Sequence, residues 1–201
     1  MQRRLTLNLF LALTLLVTPA FGQWALKVEP NHSTVGFSIP IMGGITKVTG
    51  KFIGMEVEIH YDEEDITKSS VEVVLKADTI DTGIDDRDRD LQGPKFFDVA
   101  NHPTITFQSS KVEKSEEGFV AFGELTMRGV TRQIAIPFVF SQVTKSKEGR
   151  LRMGVVASFT LNRQDYGVGS DWVHSAVPNF IGDEVTVEMF VYIRGRKAEA
   201  D

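Results

Sequence analysis

MEVEIHYDEEDITKSSVEVVLK, Met55 to Lys76, is the stretch that decides the fold. Met55, Val57, Ile59 and Tyr61 alternate with Glu56, Glu58 and His60; further on, Val71, Val73 and Leu75 alternate with Glu72, Val74 and Lys76. A period of two puts successive side chains on opposite faces of an extended chain, so both runs predict strands with one oily and one wet face. Between them Asp62 to Lys68 is polar and aperiodic, as an antiparallel connection requires. Outward from this pair the same reading predicts strands at Val35 to Ile39, Thr46 to Phe52, Thr104 to Val112, Phe119 to Thr126, Val130 to Phe140, Leu151 to Leu161 and Glu184 to Ile193. Their separators are polar or glycine-rich: Met42-Gly43-Gly44, Ser115 to Gly118 and Thr144 to Gly149. The sum is an all-β domain, one antiparallel sheet of about eight strands closed or nearly closed into a barrel, which removes the edges on which long strands aggregate. A short helix is expected after the early strands at Arg87 to Gln92, with Asp85 as N-cap, Gly93 ending it and Pro94 preventing its continuation.

The N-terminus has another character. Arg3 and Arg4 precede an apolar run from Leu5 to Val17, then Pro19 and Ala20-Phe21-Gly22, the three-part pattern of a cleaved secretory leader. Thirteen residues fall short of the roughly 20 that cross a bilayer as a helix, so no stable membrane insertion is expected after cleavage. The expected organisation is a leader at 1–22, a barrel at 23–195 and a polar tail at 196–201, with a periplasmic location. Without the leader, 20 basic side chains face 27 acidic ones, a formal charge of −7. Nucleic acid is thereby excluded as a partner, because no basic tract offers phosphate neutralisation. There is no cysteine, so packing and backbone pairing must hold the domain together.

Few residues point to chemistry. The acidic run Asp81, Asp85, Asp86, Asp88 and Asp90 fails as a calcium loop: counted from Asp86, Leu91 stands where glycine is needed and Phe97 where glutamate is needed. His32, His60, His102 and His174 stand apart, with no metal-ligand spacing. No Gly-x-Ser-x-Gly elbow or Ser-x-x-Lys pair accompanies the serines, and no acid, base and nucleophile set is visible. An enzyme using Asp88 or His102 is the weakest reading, and neither metal nor cofactor is expected. Phenylalanine is conspicuous, 14 residues against three tyrosines and two tryptophans. Phe37, Phe52, Phe107, Phe138 and Phe159 share the apolar phase of their strands. Phenylalanine needs no hydrogen-bond partner, so it can line a dry cavity; it can equally fill a barrel, and composition alone favours filling.

Four segments carry a resemblance. DTGIDDRDRDLQGPKFFDVANHPTITF (Asp81–Phe107), LTMRGVTRQI (Leu125–Ile134), LNRQDYGVG (Leu161–Gly169) and IGDEVTV (Ile181–Val187) together resemble the YceI-like family of exported, lipocalin-like, polyisoprenoid-binding barrels. The matching positions are Arg87, Asp88, Leu91, Phe96, Phe97 and Asp98, then Arg128-Gly129-Val130-Thr131, then Asn162-Arg163. Gln133 departs from the usual proline, and the loop Ser170 to Phe180 is longer than usual. The resemblance implies a lipocalin-like barrel that binds, sequesters or transports a polyisoprenoid, an isoprenoid quinone or a similar long-chain amphiphile, with no catalysis. The implied ligand wall is Phe37, Ile39, Phe52, Leu75, Leu91, Phe96, Phe97, Phe107, Phe138, Phe159 and Leu161, and the implied mouth or head-group residues are Arg87, Asn162 and Arg163. In the structural alternative those arginines pair with Asp98 or Asp165 and pin loops. A homodimer is compatible with the sequence, and the competing function is a stress-related interaction protein with a filled barrel and no ligand.

Overall fold

The computed structural model describes residues 24–197; the predicted leader lies outside them. The strands are β1 (Trp24–Val28), β2 (Thr34–Ile41), β3 (Thr46–Phe52), β4 (Met55–His60), β5 (Ser70–Lys76), β6 (Ile80–Asp81), β7 (Thr104–Ser115), β8 (Gly118–Met127), β9 (Val130–Lys145), β10 (Arg150–Asn162) and β11 (Glu184–Lys197), with helix α1 (Asp85–Gln92) between β6 and β7. They form one antiparallel sheet in the order β4-β5-β7-β8-β9-β10-β11-β2-β3-β6, with β1 pairing the far end of β11. Every predicted strand is present. The additions are β1 and β6, of five and two residues, too short for their alternation to stand out. β11 runs on through Lys197, past the predicted start of the tail.

The sheet curls until its two ends meet at a seam with no continuous ladder. Ile53 N donates to Thr79 O (3.2 Å), Gly54 N to Thr79 Oγ1 (2.8 Å) and Lys76 N to Gly54 O (2.8 Å), so the short β3–β4 corner is stitched to the β5–β6 corner. Two register shifts add curvature, between Ser109 and Lys111 on β7 and at Gly154 on β10. Opposite the first shift is Gly123, where a Cβ would collide with the carbonyl oxygen of Gln108.

Helix α1 begins earlier than the sequence reading placed it. Its N-cap is Ile84, so Asp85 is the first helical residue instead of the cap. No side chain caps this N-terminus; Asp88 Oδ1 accepts from Thr82 N and Thr82 Oγ1 and ties the first turn to the segment ahead of it. Asp85, Asp86 and Asp88 crowd the first turn, where the helix dipole favours negative charge. Gly93 ends the helix in extended backbone (φ −71°, ψ 169°), not in the left-handed region. A Cβ at this position would approach Asp90 O to 3.1 Å, a tight contact that favours glycine.

Candidate functional site

Because the strands alternate, the barrel has one continuous inner face, and that face is not filled. It encloses an elongated cavity of about 230 Å3. Apolar cavities of about 150 Å3 are known to stay dry and admit a benzene ring, so this one has room for branched hydrocarbon. Met55 and Tyr61 both line it from a single strand edge, a reach of roughly 20 Å at about 3.3 Å per residue. Among the lining residues only Tyr61, Ser69 and Ser70 carry polar side-chain atoms. A ligand there would gain by losing water contact and would meet no buried polar group to leave unpaired.

Seven residues of the expected ligand wall line this cavity: Phe37, Phe52, Leu75, Phe107, Phe138, Phe159 and Leu161. The inner phase of β7 to β11 adds Val112, Ala121, Leu125, Ile136, Met153, Ala157 and Met189, which a search for aromatics passes over. Gly50 keeps Phe37 in place, since a Cβ there would sit 2.5 Å from the ring edge. Phe119, Phe138 and Phe140 form a triangle with ring centroids 5.6–5.7 Å apart, one pair stacked and two edge-on, a rigid aromatic corner.

Ile39, Leu91, Phe96 and Phe97 are not on the cavity wall. Leu91, Phe96 and Phe97 instead close the barrel end nearest α1, packing against the buried core. Phe97 meets Phe52 edge-on at 5.8 Å, and Phe96 lies 6.2 Å from Trp172. Gly169, at φ +65°, makes the closure possible: a Cβ there would be 2.7 Å from the Phe96 ring. Trp172 also packs on Phe180 (5.9 Å), and His174 stacks on Phe180 at 4.4 Å, so the long loop is stapled to itself while Val173 remains exposed.

The three residues expected at the mouth belong to this closed end, and each is engaged locally. Arg163 is buried, and its five N–H groups have acceptors: Nε donates to Gly182 O (2.8 Å), Nη1 to Val168 O (2.8 Å) and Gly169 O (2.9 Å), and Nη2 to Asp183 Oδ1 (2.9 Å) and Ile181 O (3.4 Å). Its ion-pair partner is thus Asp183, neither Asp98 nor Asp165. Burial pushes the guanidinium pKa down and the Asp183 carboxylate opposes that. Arg87 donates to Thr82 Oγ1 (2.7 Å) and Thr82 O (2.8 Å), and Asn162 Oδ1 accepts from Gln164 N (2.8 Å). Arg128 adds a clamp: in the two-residue β8–β9 turn it donates to Gly167 O and Pro94 O, both 2.9 Å. Asp88 is held by Thr82 and the His102 ring lies against Gly129, so these two serve separate structural contacts.

A family model, the YceI-like domain, matches residues 26–192. The chain belongs to the YceI-like family. UPF0312 proteins of Yersinia pestis (strain Pestoides F) and Yersinia enterocolitica serotype O:8 are 27% and 26% identical to it over 150 residues, covering 75% of this chain and 78% of each relative. Among solved structures, BcnA of Burkholderia cenocepacia superposes with a TM-score of 0.70 at 19% identity, covering 83% of this chain and 99% of that one. The Campylobacter jejuni YceI protein superposes at 0.66 and 24% identity, covering 74% and 85%. A polyisoprenoid binding domain from Saccharophagus degradans, implicated in plant cell wall breakdown, superposes at 0.58 and 17%, covering 86% and 99%. At these identities the solved structures establish a shared YceI-like, lipocalin-like fold.

Proposed function

We propose that this YceI-like protein is a lipid-binding protein, not an enzyme, and that it sequesters or carries a polyisoprenoid, isoprenoid quinone or similar long-chain amphiphile inside the barrel. The observation that carries the reading is the unfilled interior, walled by hydrocarbon along nearly the length of the strands. The Saccharophagus degradans domain of the same fold, described as polyisoprenoid binding, supports the ligand class. A filled barrel acting only through its outer face does not account for that interior.

Burying one CH2 is worth about 0.8 kcal/mol, so a five-carbon isoprene unit gains roughly 4 kcal/mol on leaving water. Five or six units alone would approach the ceiling of about −18 to −21 kcal/mol for non-covalent affinity. Free lipid in water is therefore the wrong reference, and the relevant competitor is a membrane. Native mass spectrometry of the purified protein, followed by organic extraction and addition of a prenyl quinone, tests the reading. A copurifying hydrophobic molecule or saturable quinone binding is expected; absence of both overturns it.

The location proposed is the periplasm, supported by the leader-like first 22 residues. The mass of the protein recovered from a periplasmic extract should correspond to cleavage near Gly22; an uncleaved cytoplasmic chain overturns the location without touching the cavity.

A further inference from the structure

The outer face of the wall, at the end remote from α1, carries a block of cations. Lys27 on β1 stands in register with Arg194 on β11, which stands in turn opposite Arg152 on β10; two residues further along, Arg196 stands opposite Arg150. All five are exposed, while Trp24, Leu151, Met153 and Ile193 on the alternate phase are buried inside. At strand and residue spacings of about 4.8 Å and about 3.3 Å, the five charges share an area of roughly 10 Å by 7 Å. Glu29 reaches Arg194 (2.7 Å) and is the only carboxylate paired with any of the five among the described residues. No long tract in the sequence shows the block, because its members alternate with other residues and come from three strands.

Like charges directly opposite one another on neighbouring strands destabilise a sheet. The chain as a whole has a formal charge of −5, so composition does not account for the concentration either. The arrangement is unfavourable to folding alone and favourable once a negative surface faces it. At the opposite end Asp85, Asp86 and Asp88 crowd the first turn of α1, so the two ends of the molecule differ in sign. A long polyanion such as a nucleic-acid duplex would run past both ends and meet the acidic one; a plane of phosphates can meet the basic face alone. The same strands tie this face to the interior, since Met153 and Ile193, next to Arg152 and Arg194 in the chain, line the cavity.

We infer that Lys27, Arg150, Arg152, Arg194 and Arg196 form a docking face for a bilayer bearing anionic headgroups, which brings this end of the cavity up to the membrane. The choice of a bilayer over another polyanion rests on the lipid-binding reading above. Attraction of this kind acts within a Debye length, about 8 Å at physiological ionic strength, so the contact is reversible and sensitive to salt. The acidic end is repelled by the same headgroups, which fixes the orientation of the barrel on the surface.

Cosedimentation of the purified protein with phosphatidylglycerol vesicles and with phosphatidylcholine vesicles tests the face. Binding to the first, little to the second, and release by added sodium chloride are expected. Lys27→Gln/Arg152→Gln removes the two cations flanking Arg194 and should weaken phosphatidylglycerol binding about 10- to 30-fold. Its thermal midpoint should hold or rise, because repulsion across the strands is relieved. Lys47→Gln/Lys95→Gln makes the same change in net charge at exposed positions of the α1 end and should alter vesicle binding by no more than about 2-fold. No binding to phosphatidylglycerol, equal binding to phosphatidylcholine, or equal losses in the two double variants overturns the inference. Tighter binding to a DNA duplex at equal phosphate concentration also overturns it, in favour of a nucleic-acid site. Saturable binding of a prenyl quinone is measured on the same preparation. Its failure with vesicle docking intact removes the lipid-binding reading, whereas docking lost with quinone binding intact removes the docking face alone.

Discussion

Arg163 is a buried cation whose guanidinium donors are all engaged within the protein. Four backbone carbonyls and one carboxylate converge on its guanidinium, drawing the 163–169 and 181–183 segments into a single knot. Arg163→Met keeps the bulk and removes all five donors, so the carbonyls are stranded; a loss of about 3 kcal/mol in urea unfolding is expected. Tyr166, nearby in sequence, presents the opposite case. It is 2% exposed, and its hydroxyl has no hydrogen-bond partner among the described residues. Burial, reinforced by the Asp165 charge, holds its pKa above the ordinary 10.0. Below about pH 10 the phenol is protonated both folded and unfolded; above it the unfolded chain ionises first, so stability declines as pH rises toward the folded pKa. Tyr166→Phe should lessen that alkaline decline, leaving the share of Tyr61, whose pKa burial and Asp62 also raise, and should change stability at pH 7 by no more than about 1 kcal/mol. Denaturation curves at pH 7 and pH 10.5 check both statements. The role of Arg163 could not be read in the sequence, because four of its acceptors are carbonyls up to nineteen residues away and carbonyls leave no residue signature. Tyr61 could be read as inward from its phase, whereas Ser69, which also lines the cavity, is brought beside it by the intervening loop.

At the scale of elements, the β8–β9 turn is where motif and mechanics coincide. Met127 pairs with Val130 across only two residues, and both of these, Arg128 at φ 50° and Gly129 at φ 74°, are left-handed, as tight hairpins between twisted strands require. Gly129 is also backed by the His102 ring, 2.8 Å from where a Cβ would be. Gly129→Ala combines backbone strain with a clash and should cost about 1–3 kcal/mol in thermal or urea unfolding. A Gly83→Ala control also meets a positive φ (78°) but open space, so it should cost less. The elements legible from sequence are those long enough to repeat their alternation, from Thr34–Ile41 to Glu184–Lys197. β1 and β6 were not, since five and two residues barely establish a period and depend on the long strands they join. The helix was legible as a helix and misplaced at its start: Asp85 is already helical, Ile84 holds the N-cap position without a side-chain cap bond, and Asp88 reaches back to Thr82 instead.

For the whole molecule, period two specified the inner face, and the aromatic members of that face were identified correctly as to direction on β2, β3, β7, β9 and β10. Hollowness was not legible, since a packed and an open barrel share one alternation pattern; the difference lies in the summed volume of side chains against the circumference of the wall. Small residues on the inner face, Ala121 and Ala157, contribute to that deficit. Ala121→Phe should therefore place a ring in existing space. Stability should hold or rise, in contrast to overpacking of a full core, while binding of a prenyl probe should fall by at least about tenfold. Unfolding together with a probe titration separates these outcomes.

One arrangement has a consequence for how the molecule is made. The first described strand, β1, is hydrogen-bonded to the last, β11, from Trp24 against Lys197 to Val28 against Ile193, and β11 also carries β2 and β10. Hence β1 cannot pair until β11, the last described strand, is in place. Until then β10 and β2 lack their shared neighbour, and the oily inner face is open to solvent. Folding that waits on contacts between opposite ends of the chain is slow. A molecule of this design therefore keeps its apolar inner wall uncovered until its last described strand docks, which makes that docking the step that shields it from aggregation.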